Sequence, residues 1–200
     1  MAIRSITIST MLAIGCLLLQ SQSVLAQSKA DASKKKALID RGKYLVNLGG
    51  CNDCHTPKTF GPEGMGMDST RLLSGHPANE KLPDIPHDAL GPDKWAAVTT
   101  GHFTAWAGPW GVSFARNLTP DVATGLGSWT EEIFIKALRT GKDMGEGRDI
   151  LPPMPWPNFA LLTDDDLKAI FAYLKSIKPI ENAVPDPISP TGESMPTLHK

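Results

Sequence analysis

Five consecutive residues hold the side chains best placed to do chemistry together: Cys51-Asn52-Asp53-Cys54-His55. Two thiols three positions apart fall on one helical turn, and an imidazole follows at once. This is the C-x-x-C-H signature of c-type haem attachment. The spacing has a chemical reason. The two thiols add across the vinyl groups at one porphyrin edge, and the adjacent imidazole is then held beneath the iron as proximal ligand. Other uses of the same residues explain less. A redox-active or structural disulfide leaves His55 without a role, and the βαβ pattern that accompanies thioredoxin-like motifs is missing. A zinc site wants four ligands, and no second Cys or His pair stands at finger spacing. The expectation is one covalent haem c through Cys51 and Cys54, with His55 on the iron.

A haem used for electron transfer usually takes a second iron ligand on its far side, and methionine there raises the reduction potential relative to histidine. Met65, Met67, Met144, Met154 and Met195 are the candidates beyond residue 26. Met154 stands apart by its setting, Leu151-Pro152-Pro153-Met154-Pro155-Trp156-Pro157. Four prolines in seven residues fix φ and reduce the entropy lost when the loop orders, which suits a weak thioether ligand. Met154 is therefore expected as the sixth ligand, with Met144, flanked by glycines, in reserve. Met65 and Met67 lie close to His55 in a Gly-rich stretch. His76, His87, His102 and His199 are isolated histidines in irregular segments. His102, near Phe103, Trp106 and Trp110, would be the acid–base group of the competing reading, a peroxidase-like haem enzyme with an open or exchangeable sixth position.

Three helices are expected to position these groups. Residues 33–48 read as a helix capped by Ser33 and stopped by Gly49-Gly50, with Leu38, Leu45 and Leu48 near one apolar stripe. Gly42 inside it costs about 1 kcal/mol relative to alanine, which hints at another helix in close approach. Residues 129–140 form a second helix, with Ser128 and Glu131 as capping box, Gly141 as terminator, and Ile133, Phe134, Ala137 and Leu138 as the buried face. The third begins at Thr163, whose hydroxyl caps a first turn of three aspartates that favour the positive end of the helix dipole. Leu167, Ile170, Phe171, Leu174 and Ile177 follow at helical spacing, and Pro179 ends it. No alternating pattern of strand length stands out, so the fold reads as mostly α with long connections. Gly75–Ala115, with Trp95, Trp106 and Trp110, reads as a loop layer over haem edges or as local core. Trp129 and Arg116 are open to two roles each, a hydrogen bond to a haem propionate or plain core and surface duty.

Composition sets the frame. The chain has 200 residues with 20 basic and 21 acidic side chains, a net charge of −1. Residues 1–26 read as a cleavable signal peptide: Arg4, an apolar run from Met11 to Leu19, and Val24-Leu25-Ala26 before Gln27. Cys16 leaves with it. Without a basic surplus, nucleic acid is excluded as a partner. No apolar run approaches the roughly 20 residues of a spanning helix, so the mature chain is expected to be periplasmic and free of transmembrane segments. With 18 glycines and 17 prolines, the chain exceeds the usual share of roughly 12% for the two. It must find rigidity beyond regular secondary structure, and a buried prosthetic group supplies it. Residues 27–178 are taken as a monohaem domain and 179–200 as a Pro-rich tail.

Longer motifs bring a resemblance. Tyr44-Leu45-Val46 before Cys51–His55, and Thr56-Pro57 after it, resemble the helix-plus-haem motif of c-type cytochromes. Arg116-Asn117-Leu118-Thr119-Pro120-Asp121, then Thr124-Gly125-Leu126-Gly127-Ser128-Trp129-Thr130, is similar to a signature of the cytochrome subunits of bacterial membrane-bound alcohol, aldehyde and gluconate dehydrogenases. Met154-Pro155, with Leu162-Thr163 and Tyr173-Leu174, matches their end-of-domain pattern, in which that Met is the axial ligand. The resemblance covers about residues 37–186. It implies an all-α, class I cytochrome c-like fold and an electron carrier rather than an enzyme. The implied partners are a dehydrogenase as donor and a cytochrome or terminal oxidase as acceptor. Those subunits carry three haem motifs and a membrane-associating tail. This chain has one motif and resembles a single domain of them.

Overall fold

The computed structural model describes residues 27–195; the signal peptide expected over 1–26, and His199, lie outside them. Residues 27–48 are helical (α1), and from Ile39 onward the chain forms one compact unit. The helix already runs through Ser33, so that residue does not cap it. Gly49 and Gly50 do end it. The Gly49 amide donates to Leu45 O at 2.8 Å, and Gly50 takes φ +64°, a conformation glycine adopts without a Cβ penalty. Next come α2 (Cys51–His55), α3 (Glu131–Thr140), the single turn α4 (Trp156–Phe159) and α5 (Asp164–Leu174).

The core joins three of these helices. Leu45 and Val46 of α1 meet Phe134, Ala137 and Leu138 of α3 and Leu167, Ala169, Ile170, Phe171 and Leu174 of α5, with Leu126 and Trp129 closing the cluster. Phe134 and Phe171 stack with ring centroids 5.2 Å apart. Of the stripe expected on α1, only Leu45 is buried. Leu48 is 68% exposed and Val46 fully buried, because α1 crosses α5 over a narrow strip centred on Gly42. A Cβ at Gly42 would stand 1.8 Å from Ala169 O and 2.8 Å from Tyr173 Cβ. The close approach inferred from that glycine is thus present, and its partner is α5.

Caps explain the helix ends. The Thr163 Oγ1 accepts from the Asp166 amide at 3.2 Å, as expected for α5. On α3 the cap is Thr130, accepting from the Ile133 amide, rather than Ser128; the helix starts two residues later than its capping-box pattern suggests. Gly141 ends it at φ +68°.

Strands are the main departure from an all-α expectation. Lys58–Gly61 (β1) and Gly64–Met67 (β2) form an antiparallel hairpin. Val98–Thr99 (β3), Ala105–Gly108 (β4) and Gly111–Phe114 (β5) form a second antiparallel sheet in the order β3-β4-β5. Each has two to four residues, too few for a period-two pattern to register. The helical frame remains, with two small sheets between its first and second halves.

The segment after α5 is fastened down. Asn182 accepts from the Ala78 amide at 2.9 Å and donates to Ser74 O and His76 O at 2.7 and 2.8 Å. The Asn117 side chain donates to Ile180 O at 2.8 Å, and Ile188 exchanges backbone bonds with Val112. This stretch is a strap. Among the described residues, no helix is long and apolar enough to cross a membrane.

Candidate haem site

Helix α2 is a single turn that places both thiols and the imidazole. Its last carbonyls would be unpaired at a buried end. Lys58, itself 5% exposed, resolves this by donating from Nζ to Asn52 O, Asp53 O and Thr56 O at 3.1, 2.8 and 2.6 Å. A cation at a helix C-terminus also suits the dipole. Sequence reading missed Lys58; a lysine three residues after the motif carries no distinguishing signal. Thr56 completes the lock, donating to Asn52 Oδ1 and accepting from the Leu73 amide, both at 2.8 Å.

His55 Nδ1 lies 2.7 Å from Arg116 O. A carbonyl only accepts, so Nδ1 carries the proton and Nε2 keeps its lone pair. This is how a metal-binding histidine is usually oriented: the second nitrogen donates to a fixed acceptor, which sets tautomer and ring direction. Burial pushes the imidazole below its ordinary pKa, which holds it neutral. Cys51 and Cys54 are unpaired, partly exposed thiols. Burial pushes Cys51 up to about 11 and Cys54 upward as well, so neither is a thiolate at neutral pH.

Both methionines favoured by the sequence pack against the apolar core. Met154 and Met144 are partly buried against the apolar cluster that also receives Cys51, Leu118 and Phe159. The Met154 loop is held from two sides. Trp110 Nε1 donates to Ser113 Oγ at 3.2 Å, and Ser113 Oγ donates to Pro152 O at 2.6 Å; within the loop, the Met154 amide donates to Leu151 O. Met144 has φ +51° inside a 3₁₀ turn. Met65 and Met67 are 53% and 45% exposed on β2, away from any core. The histidines are accounted for otherwise. His102 Nδ1 accepts from the Lys58 amide at 3.0 Å and its ring meets Phe60 edge-on. His76 is fully buried and bonded to Thr104 Oγ1 at 2.9 Å, and His87 is exposed.

These residues fit a covalently attached haem: a free Nε2 with its partner nitrogen fixed, two uncommitted thiols one turn before it, and a thioether among apolar walls. Arg116 and Arg148 add buried Nε atoms without a hydrogen-bond partner. Arg116, left open by the sequence, pairs with Asp143 and lies over the Trp129 ring at 4.9 Å.

Comparison with known proteins agrees with that fit. Residues 39–178 match the family model for cytochrome c. The chain is 30% identical over 83% of its length to the gluconate 2-dehydrogenase cytochrome c subunit of Pantoea cypripedii, covering 29% of that protein. It is 31% identical over 76% of its length to the cytochrome c subunit of the quinone alcohol dehydrogenase of Gluconobacter oxydans, covering 24%. A similar match, 30% over 84%, is to the fructose dehydrogenase cytochrome subunit of Gluconobacter japonicus, of which 28% is covered. The chain thus spans 24–29% of the length of these relatives.

Proposed function

The chain belongs to the cytochrome c family, and from that premise we propose that it is an electron-transfer protein with one covalent haem c. Cys51 and Cys54 hold the porphyrin, and His55 and Met154 bind the iron. The observation that carries this reading is the His55 Nδ1–H donated to Arg116 O at 2.7 Å, which leaves Nε2 as the only ring nitrogen able to ligate. When bound, haem supplies a one-electron couple. The protein's residues do the rest: His55 is held neutral and oriented, Lys58 fixes the turn that carries the thiols, and Ser113 fixes the Met154 loop.

An iron held by both His55 and Met154 would have no place for peroxide or oxygen without losing one of them. His102, the acid–base group a peroxidase-like reading would need, is engaged by the Lys58 amide. The carrier reading is therefore preferred. In it, a periplasmic dehydrogenase reduces the protein, as the named relatives suggest, and another cytochrome or a terminal oxidase reoxidises it. Residues 1–26 direct export, 27–178 form the monohaem domain, and 179–200 follow as a Pro-rich tail.

Mass measurement of the exported protein is expected to show the chain from Gln27 plus one haem. A chain without haem, or one with a Cys51–Cys54 disulfide, would overturn the proposal. Met154→Ala is expected to remove the iron–thioether absorption, lower the potential and admit small ligands. If Met144→Ala does this and Met154→Ala does not, Met144 is the ligand. Rapid cyanide or peroxide binding by the unsubstituted protein would favour the enzyme reading.

A further inference from the structure

His102 is a partly buried imidazole to which the proposed site gives no task, and the chain holds it under constraint. It stands on the turn from β3 to β4, where the Phe103 amide donates to Thr100 O at 2.9 Å. Phe103 closes that turn at φ +56°, a left-handed conformation that a phenylalanine keeps only where its surroundings impose it. The Trp106 indole contributes to that constraint by donating from Nε1 to Phe103 O at 3.0 Å. Both ring nitrogens of His102 then have a set direction. The Lys58 amide donates to Nδ1 at 3.0 Å, so Nδ1 carries the lone pair and the ring proton sits on Nε2. Nε2 lies 3.8 Å from Glu80 Oε2, a buried carboxylate oxygen without a hydrogen bond of its own. A negative charge on the side of the proton favours this tautomer. Phe60 meets the ring edge-on, with centroids 5.7 Å apart.

What this imidazole holds matters for the site. Lys58 is the first residue of β1; its amide has His102 as partner, while its Nζ reaches back to Asn52 O, Asp53 O and Thr56 O. Backbone and side chain of one buried residue thus tie the turn bearing Cys51, Cys54 and His55 to a segment 44 residues further on. The second anchor comes from the far end of the same small sheet. Arg116, just beyond β5, supplies the carbonyl that fixes His55 Nδ1. One anchor acts on the imidazole itself and the other on the turn that carries it.

We infer that His102 is a positioning residue for the haem-bearing turn, acting through the Lys58 amide rather than as an acid or base. The inference rests on the one-haem reading above. A group that orients a metal ligand from outside changes the direction of that ligand, and with it the electronic structure of the metal, while binding neither.

The experiment separates the two ring nitrogens in exported holoprotein. The amide oxygen of asparagine can stand where Nδ1 stands, and the end of a glutamine side chain where Nε2 stands. His102→Asn therefore keeps an acceptor for the Lys58 amide, whereas His102→Gln keeps only the side toward Glu80. Haem content is measured first. Then come the g-values of the ferric low-spin EPR spectrum, which follow the orientation of the axial ligands, and exchange of the Thr56 amide, bonded to Asn52 O at the end of α2. His102→Gln is expected to shift the g-values and to speed that exchange about fivefold, the loss of one hydrogen bond. His102→Asn is expected to restore both to those of the unsubstituted protein. Unmoved g-values in haem-loaded His102→Gln, or equal shifts in the two variants, overturn the inference and leave the one-haem reading standing. If His102→Gln fails to load haem, full loading of His102→Asn supports the inference and equal failure of both overturns it. An unsubstituted protein without haem overturns the reading and the inference with it.

Discussion

Residues 39–55 together with 120–174 make one region of the compact unit, and residues 56–119 another; the first buries apolar side chains almost alone, whereas the second buries many polar ones beside Leu73, Ala105, Ala107 and Val112. In the first, the buried set is apolar, from Leu45 and Val46 to Leu174, with Asp143 the one buried charged or polar exception among the described residues. In the second, Thr56, Lys58, Ser74, His76, Thr104, Ser113, Asn117 and Thr119 are buried and each is hydrogen-bonded. Helices pack by volume and satisfy their own backbone, so their residues need only be apolar and well shaped. A layer of short strands and turns leaves backbone groups for side chains to pair, so its residues are chosen as donors and acceptors. Volume errors should therefore hurt the first half most, and single lost donors the second.

Gly42→Val should give the largest effect. The added Cβ meets the Ala169 carbonyl, a backbone atom that cannot swing aside, and overpacking of this kind costs about 3 kcal/mol or more. Urea unfolding of the holoprotein checks it; an unchanged midpoint would mean that the α1–α5 crossing yields easily. Asn182→Ala tests the other half. It removes three bonds to residues 74–78 at once and should cost about 2 kcal/mol, with faster amide exchange confined to that stretch and the strap. Uniform destabilisation would argue against a distinct polar layer.

The pH dependence of stability offers a third test. Burial, then the nearby His102 charge, hold His76 at about 4, below its ordinary value. Its neutral form is the one the fold accepts, so the unfolded chain takes up the proton first. Stability from this residue is full above about pH 6.5 and declines as pH falls toward 4, with a slope no steeper than about 1.4 kcal/mol per unit. His76→Asn should flatten that part of the profile, read from thermal unfolding at several pH values. The smallest effect belongs to the helical half again. Thr163→Ala loses the α5 cap and should cost about 1 kcal/mol, seen as a lowered unfolding midpoint without any change in haem spectrum.

This division also decided what could be read from the sequence. Helix α5 was legible because Thr163, three aspartates and a 3.6-period apolar set all point the same way, and Gly42 announced its crossing. The starts of α1 and α3 were less so, since Ser33 and Ser128 are good caps that lose to a longer helix and to Thr130, whereas Gly49-Gly50 and Gly141 end them as read. In the strand layer little was visible. Four-residue strands lack a period, and nothing near Lys58 or Asn182 in the sequence says that the side chain will reach carbonyls from another segment. The same limit applies at the haem site. Cys51, Cys54 and His55 stand in one local motif, whereas the acceptor that orients His55 is a backbone atom 61 residues away.

The strap has a consequence in time as well as in strength. Its Asn182 bonds join positions 104 to 108 residues apart, whereas the contacts of α2 with Lys58 and Thr56 span no more than six. Closing a long loop costs entropy before any contact repays it, and contacts of large sequence separation slow folding. The turn bearing the thiols can therefore form early, while residues 74–78, already tied to His55 and Ala115 through the Gly75 and His76 amides, gain their bonds to Asn182 later. The Asn182 bonds thus fasten a stretch whose first contacts are already in place, and amide exchange of residues 74–78 during refolding should reach full protection later than that of α2.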